Sequence, residues 1–138
     1  MFNWTKELEL GIESIDDQHK KLLLIGNKIN DLLAVHSDGD DNYDEILEVI
    51  EELKEYTVYH FKTEEDIFQK YNYPEYNQHK KEHDAFIEYL NSVDYNTIDD
   101  DQRVFLKELL KKVVQWVINH IITTDYMYKD FLISYGKK

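Results

Sequence analysis

The chain contains no cysteine, which removes disulfides, iron–sulfur clusters and thiol catalysis together. That absence fits a reducing compartment. Proline occurs once and glycine four times in 138 residues, so strong breaks are few and long helices are the natural reading. Cationic residues are scarce as well: 16 Lys and Arg stand against 29 Asp and Glu, a formal charge of −13. A chain so acidic lacks the dense basic surface that nucleic acid requires. No Lys/Arg cluster stands clear of neighbouring acids, so an anionic membrane is not an expected partner either. No stretch approaches the roughly 18 apolar residues of a membrane span, and the opening Met1–Glu7 lacks the charged and apolar regions of a signal peptide. The acidity itself reads as a solvated surface. The expectation is a soluble, cytoplasmic chain forming one domain over 1–138, without repeat, low-complexity tract or linker.

The chain does have aromatic bulk. Two Trp, eleven Tyr and six Phe allow a chain of this length to bury a real core without covalent staples. Residues 1–13 read as an ordered, extended arm. Ser14-Ile-Asp-Asp17 is a candidate capping box for a first helix with Ile15, Leu22, Leu23, Ile25, Ile29, Leu32 and Leu33 at helical spacing. The run Ser37–Asp41 ends it. A second helix is predicted over about Tyr43–Lys70, with Ile46, Val49, Ile50, Leu53, Thr57, His60, Phe61 and Ile67 inward. Tyr71-Asn-Tyr-Pro74 forces a turn, because proline disfavours a helical conformation in the residue before it. A third helix follows over about Glu75–Ser92, then a loop over 94–101 with Thr97 as a candidate N-cap. A fourth runs over about Gln102–Ser134, with Phe105, Leu109, Val113, Trp116, Val117 and Ile121 on one side. Four helices with short connections pack as antiparallel neighbours. The fold class is all-α, an up-down-up-down four-helix bundle with an N-terminal extended arm.

Six histidines fall on this frame. His60 and Glu64 are four residues apart, as are His79 and His83, so each pair projects from one helix face. His19 lies near the start of the first helix, and His120 and Asp125 lie toward the end of the fourth. Each alone is weak, since a single histidine on an apolar face is more often a satisfied core residue than a ligand. Geometry raises the weight of the set. In an up-down bundle the start of helix one, the end of two, the start of three and the end of four share one end of the molecule. His19 precedes the 37–41 loop by about as many residues as His60 follows it, which sets them level on antiparallel helices. The fourth helix fits less neatly: its candidates lie further from the 94–101 loop than those of helix three, so that loop is long or the helix overhangs.

Five imidazoles and two carboxylates exceed what one ion uses and suit two ions bridged by carboxylates. So many polar groups in a core imply bound cations, and nitrogen and oxygen donors without thiolate suit iron, manganese or zinc. No Glu stands three residues before any histidine, which counts against the Glu-x-x-His di-iron class of bundles. Asp125 follows His120 by five residues, about 140° around a regular helix. A local widening near 121–125, such as a π-bulge, is therefore predicted. His36 fits no donor position and reads as a surface residue. Glu65 does not share the face of His60, so it reads as solvated or as a group that orients a ligand.

Taken together, Trp4 with Leu10-Gly-Ile12, Ile15-Asp-Asp-Gln-His-Lys20, Asn27, His60-Phe-Lys-Thr-Glu-Glu65, Tyr73-Pro74, His79-Lys-Lys-Glu-His83, and Trp116 with His120-Ile and Asp125 resemble the single-domain bacterial members of the hemerythrin family. The likeness covers nearly the whole chain. It implies a di-iron centre in which His79, His83 and His120 hold one iron and His19 and His60 the other. Glu64 and Asp125, with a solvent-derived oxo or hydroxo group, would bridge the two. It further implies that dioxygen binds at the open position of the two-histidine iron and is held as hydroperoxide, its proton taken from the bridging hydroxide. Leu22, Phe61, Trp116, Val117 and Ile121 are the implied walls of that pocket, each within about one helical turn of a ligand. An apolar wall would favour reversible release by excluding water. Val117 stands where the family often has leucine, a smaller side chain that bears on gating and oxidation rate. The expected function is a non-enzymatic carrier, store or sensor of dioxygen, with a dioxygen-consuming enzyme an open question as partner. The rival readings are a di-iron oxidase or peroxidase and an iron- or redox-sensing interaction module.

Overall fold

A computed structural model describes residues 4–36, 41–93, 98 and 101–134. A 3-10 turn, Lys6–Leu8, sits within the N-terminal arm. Four long helical segments follow: α1 (Glu13–Val35), α2 (Tyr43–Lys70), α3 (Tyr76–Asn91) and α4 (Gln102–Asn119). A π-helical stretch, His120–Asp125, carries α4 into α5 (Tyr126–Ser134). No strand occurs among the described residues, and no helix there is long and apolar enough to cross a membrane.

Side-chain contacts fix the antiparallel order. Lys28 Nζ meets Glu52 at 2.8 Å between α1 and α2. Phe61 stacks on His83 between α2 and α3, and Phe86 on Trp116 between α3 and α4. The Arg103 guanidinium, at the start of α4, donates to the carbonyls of Leu33 (3.4 Å) and His36 (3.2 Å) at the end of α1. Gln102 accepts from the Asn42 amide at 2.8 Å. The first turns of α4 are thus level with the α1–α2 connection, beyond the end of the shorter α3. Of the two alternatives, a long loop or an overhanging helix, these contacts show the overhang, and Ile98, fully buried, packs into the core. The Thr97 cap lies outside the described residues; the N-cap of α4 is Asp101, whose carboxylate accepts from the Val104 amide at 3.1 Å.

The interior is two apolar clusters. The larger, built around Leu22, Ile25, Ile50, Leu53, Phe86, Leu106 and Val113, fills the bundle toward the 37–41 end. The smaller joins Leu10, Ile12, Ile15, Phe68, Tyr73, Tyr128 and Leu132 at the opposite end. Phe68 is fully buried there, whereas the predicted inward residue Ile67 packs only at its edge.

Two local devices shape that second cluster. The turn after α2 is a Schellman motif: the Tyr73 amide donates to Phe68 O (2.9 Å) and the Asn72 amide to Gln69 O (3.3 Å). Asn72 adopts φ +54°, and the Tyr73 and Phe68 rings lie 5.0 Å apart, the apolar contact that accompanies this motif. Asn72 therefore makes the turn, and Pro74 follows it. At the other device the capping box is corrected. Helix α1 begins at Glu13 with Ile12 as N-cap and no side-chain cap. Asp16 instead reaches back to the arm, accepting from the amides of Leu10 (2.8 Å) and Gly11 (3.1 Å). Gly11, at φ +83°, supplies the left-handed residue that lets the arm turn there. Replacing Asp16 by Ala should lower stability by about 2 kcal/mol, because the buried Leu10 amide and the neighbouring Gly11 amide lose a charged acceptor. Urea unfolding of both proteins measures this, and an unchanged midpoint would show that the arm is anchored elsewhere.

Candidate metal centre

The layer between the two apolar clusters is polar. His19 comes from α1, His60 and Glu64 from α2, His79 and His83 from α3, and His120 and Asp125 from the two ends of the π-helical stretch. None of the seven is more than 5% exposed. An i→i+5 repeat returns Asp125 to the His120 face: its Oδ1 lies 3.0 Å from His120 Nε2. The same carboxylate approaches His79 Nε2 at 2.8 Å and His19 Nε2 at 3.0 Å. Glu64 Oε1 approaches His83 Nε2 at 3.1 Å and His60 Nε2 at 3.4 Å. The predicted irregularity in helix four is present, for the predicted reason.

These atoms form two overlapping donor groups. One is His79, His83, His120, Glu64 and Asp125; the other is His19, His60, Glu64 and Asp125. Within each, the potential ligand atoms lie within 4.8 Å of one another. The residues therefore divide three imidazoles against two, and the carboxylates belong to both.

A metal-free account leaves this layer unsatisfied. Nε2 of His19, His79, His83 and His120, Glu64 Oε1 and both Asp125 oxygens are buried without a hydrogen-bond partner among the described residues. Several sit at 2.8–3.1 Å from an opposite atom yet miss hydrogen-bonding geometry. Buried polar atoms are nearly always paired, so convergent bare nitrogens and oxygens fit cations between them.

Outer contacts orient the rings. His60 Nδ1 donates to Gln18 Oε1 at 2.6 Å, and Gln18 Nε2 donates to Thr63 Oγ1 at 3.4 Å. His83 Nδ1 donates to Glu65 Oε2 at 2.9 Å, so Glu65 orients a ring of the donor layer, the one on α3. Glu82 Oε1 lies 3.7 Å from His120 Nδ1. Tyr128 Oη donates to Glu64 Oε2 at 2.5 Å. Each contact turns Nε2 or the second carboxylate oxygen inward. His36 lies apart, half-buried, its Nδ1 2.6 Å from Asn42 Oδ1.

Apolar packing closes the layer on the large-core side. Phe61 stacks on His83 with centroids 3.8 Å apart and planes parallel to 1°, and Trp116 stacks on His120 at 4.3 Å. Leu22, Val117 and Ile121 are buried in the same cluster, with Trp116 partly buried at its edge.

A model of the Hemerythrin HHE cation binding domain matches residues 10–132. The chain belongs to the hemerythrin family. It is 43% identical over 130 residues to a bacteriohemerythrin of Clostridium acetobutylicum, covering 94% of this chain and all of that protein. A hemerythrin-like protein of Naegleria gruberi is 34% identical, over 95% of this chain and 93% of its own. The crystal structure of a wild-type hemerythrin superposes with a TM-score of 0.75 at 28% identity, over 94% of this chain and 96% of that one. The seven converging residues form a hemerythrin-type cluster, consistent with a non-haem di-iron site.

Sequence reasoning gave Gln18 no role and missed Tyr128. Gln18 had a faint signal: it shares the buried face of α1 with Ile15 and Leu22, where a polar side chain needs a partner. Tyr128 stands three residues after Asp125 and is indistinguishable in sequence from an apolar core position.

Burial drives His60 down to about 3 against the pull of Glu64. Burial also opposes protonation of His83, but the Glu64 and Glu65 carboxylates beside its two nitrogens outweigh it and hold the ring at about 9. For Glu64, burial and the charge of Asp125 favour the neutral acid, yet His60 and His83 bring it to about 2. Asp125 is likewise held well below its ordinary value: burial opposes this, and His120, His19 and His79 prevail.

In the metal-free protein these shifts predict a stability maximum near the ordinary histidine value of 6.5. Below that pH the unfolded chain takes up a proton that His60 refuses until about 3, so stability falls with acidification. Glu64 adds to the acid loss between its ordinary 4.5 and about 2. Stability from His83 is complete below 6.5 and disappears as pH rises through about 9. Thermal melts of chelator-treated protein across this range test the shape, and a profile rising steadily with pH would contradict it. For the loaded protein, Gln18→Ala and Glu65→Ala should each weaken metal binding by about 10–100-fold. Competition with a coloured chelator measures this; unchanged affinity would exclude the orienting role.

Proposed function

We propose that the chain is a non-haem di-iron protein that binds dioxygen reversibly, a carrier, store or sensor rather than an enzyme. The observation that carries this reading is the asymmetric pair of donor groups sharing Glu64 and Asp125. His79, His83 and His120 with both carboxylates and a bridging solvent oxygen would complete six positions on one iron. His19 and His60 with the same bridges would leave the second iron one position short. Two irons so held would supply the two electrons that reversible dioxygen binding takes up and returns.

The protein's own residues hold the metals and keep the site dry. Phe61 and Trp116 stack on imidazoles, and Leu22, Val117 and Ile121 fill the adjoining core; these five are the proposed wall of the dioxygen pocket. Excluding water there slows displacement of the ligand and favours its return as dioxygen. The orienting contacts from Gln18 and Glu65 keep two Nε2 lone pairs aimed inward. The small gaseous ligand needs no docking partner, and a cysteine-free chain fits a cytoplasmic setting.

Anaerobic reduction followed by exposure to air tests the function. Two irons per chain and a visible charge-transfer band that disappears on removing dioxygen are expected. A band that decays to the diferric form with consumption of peroxide would identify an oxidase or peroxidase instead, and one zinc per chain without colour would end the di-iron reading. His60→Ala or Glu64→Ala should abolish two-metal loading, because each removes a donor of the two-histidine group.

A further inference from the structure

Among the described residues, Tyr128 is the one fully buried phenol whose hydroxyl meets the donor layer. Its partner, Glu64 Oε2, belongs to a carboxylate common to both donor groups. An ionised carboxylate can only accept, so the hydroxyl donates. The ring is held in place independently of that bond. It packs edge-to-face on Phe68 at 4.8 Å, on His79 at 5.5 Å and on Tyr73 at 6.2 Å. Phe68 and Tyr73 are the two residues clasped by the Schellman turn. Tyr128 is therefore a rigid donor, fixed by the second apolar cluster and aimed at one carboxylate oxygen.

A hydrogen bond of this kind does two things to a metal ligand. It fixes the carboxylate's rotation, and it withdraws electron density from the oxygen that accepts. A less electron-rich carboxylate loses more of its stabilisation of a trivalent ion than of a divalent one. We infer that Tyr128 is a positioning residue that tunes the centre through Glu64, holding the metals toward their reduced, ligand-ready state. This inference rests on the di-iron reading, and it adds to that reading a residue that touches no metal and sets how readily the site oxidises.

The test uses two variants expected to move the centre in opposite directions. Tyr128→Phe keeps the ring and deletes the donor. It should still load two irons, show a lower midpoint potential, and oxidise in air several-fold faster than the parent. Site-specific 3-fluorotyrosine at position 128 keeps the contact with a more acidic, stronger donor; it should raise the potential and slow oxidation. Loaded Tyr128→Phe with the parent's potential and oxidation rate would overturn the inference, as would shifts of the same sign in both variants. If Tyr128→Phe fails to fold or load, the fluorotyrosine variant decides alone, and an unchanged potential overturns the proposal. Failure of the parent to bind two irons would instead strike the di-iron reading. The contact itself is read separately in metal-free protein, as a far-downfield hydroxyl proton resonance lost in Tyr128→Phe; absence of that signal in the parent refutes the donor.

Discussion

The structure depends on one buried carboxylate. Asp125 has no solvent exposure, and imidazoles from α1, α3 and the start of the π-helical stretch approach within 2.8–3.0 Å of its oxygens. A carboxylate in such a place is costly unless surrounded by positive charge. The backbone departs from regular helix to put it there. The π-helical stretch His120–Asp125 has no rationale in packing alone, since a continuous α-helix would also present an apolar stripe. It makes sense as the turn that returns Asp125 to the histidine face, and π-bulges commonly mark functional positions for this reason.

That constraint explains why the core is split. A continuous apolar interior would serve a bundle of this length, but here seven polar side chains separate a larger cluster from a smaller one. The smaller cluster cannot be supplied by the four long helices alone. It recruits Leu10 and Ile12 from the arm, Tyr73 from the α2–α3 turn, and Tyr128 and Leu132 from α5. The Asp16 anchor and the Schellman turn thus serve the centre: each fixes a segment that closes the open end of the bundle over it.

Much of this was legible in the sequence because helical period, donor identity and loop position are all one-dimensional quantities. The four helices, the common end for His19, His60, His79 and His120, and the departure from α-geometry before Asp125 follow from counting residues at known rise and rotation. The failures are of a different kind. Ser14-Ile-Asp-Asp17 has the composition of a capping box, but Asp16 bonds to the arm because Gly11 can turn back over the helix start. Ile67 and Phe68 are adjacent and both apolar, and which one is buried depends on the turn that seats Phe68 against Tyr73. Tyr128 is the clearest case. Its hydroxyl finds Glu64 across 64 residues of sequence, and no local pattern carries that information.

The outer contacts differ in kind from one donor residue to the next. His60 is held by a neutral amide and His83 by a carboxylate. An imidazole that donates to a carboxylate gains anionic character and becomes a stronger ligand, while one that donates to an amide gains less. The charged contact serves the three-histidine group and the neutral one serves the two-histidine group. The asymmetry in the number of imidazole donors is therefore matched by an asymmetry in what orients them. The group with more histidines is also the one whose imidazole is made more electron-rich.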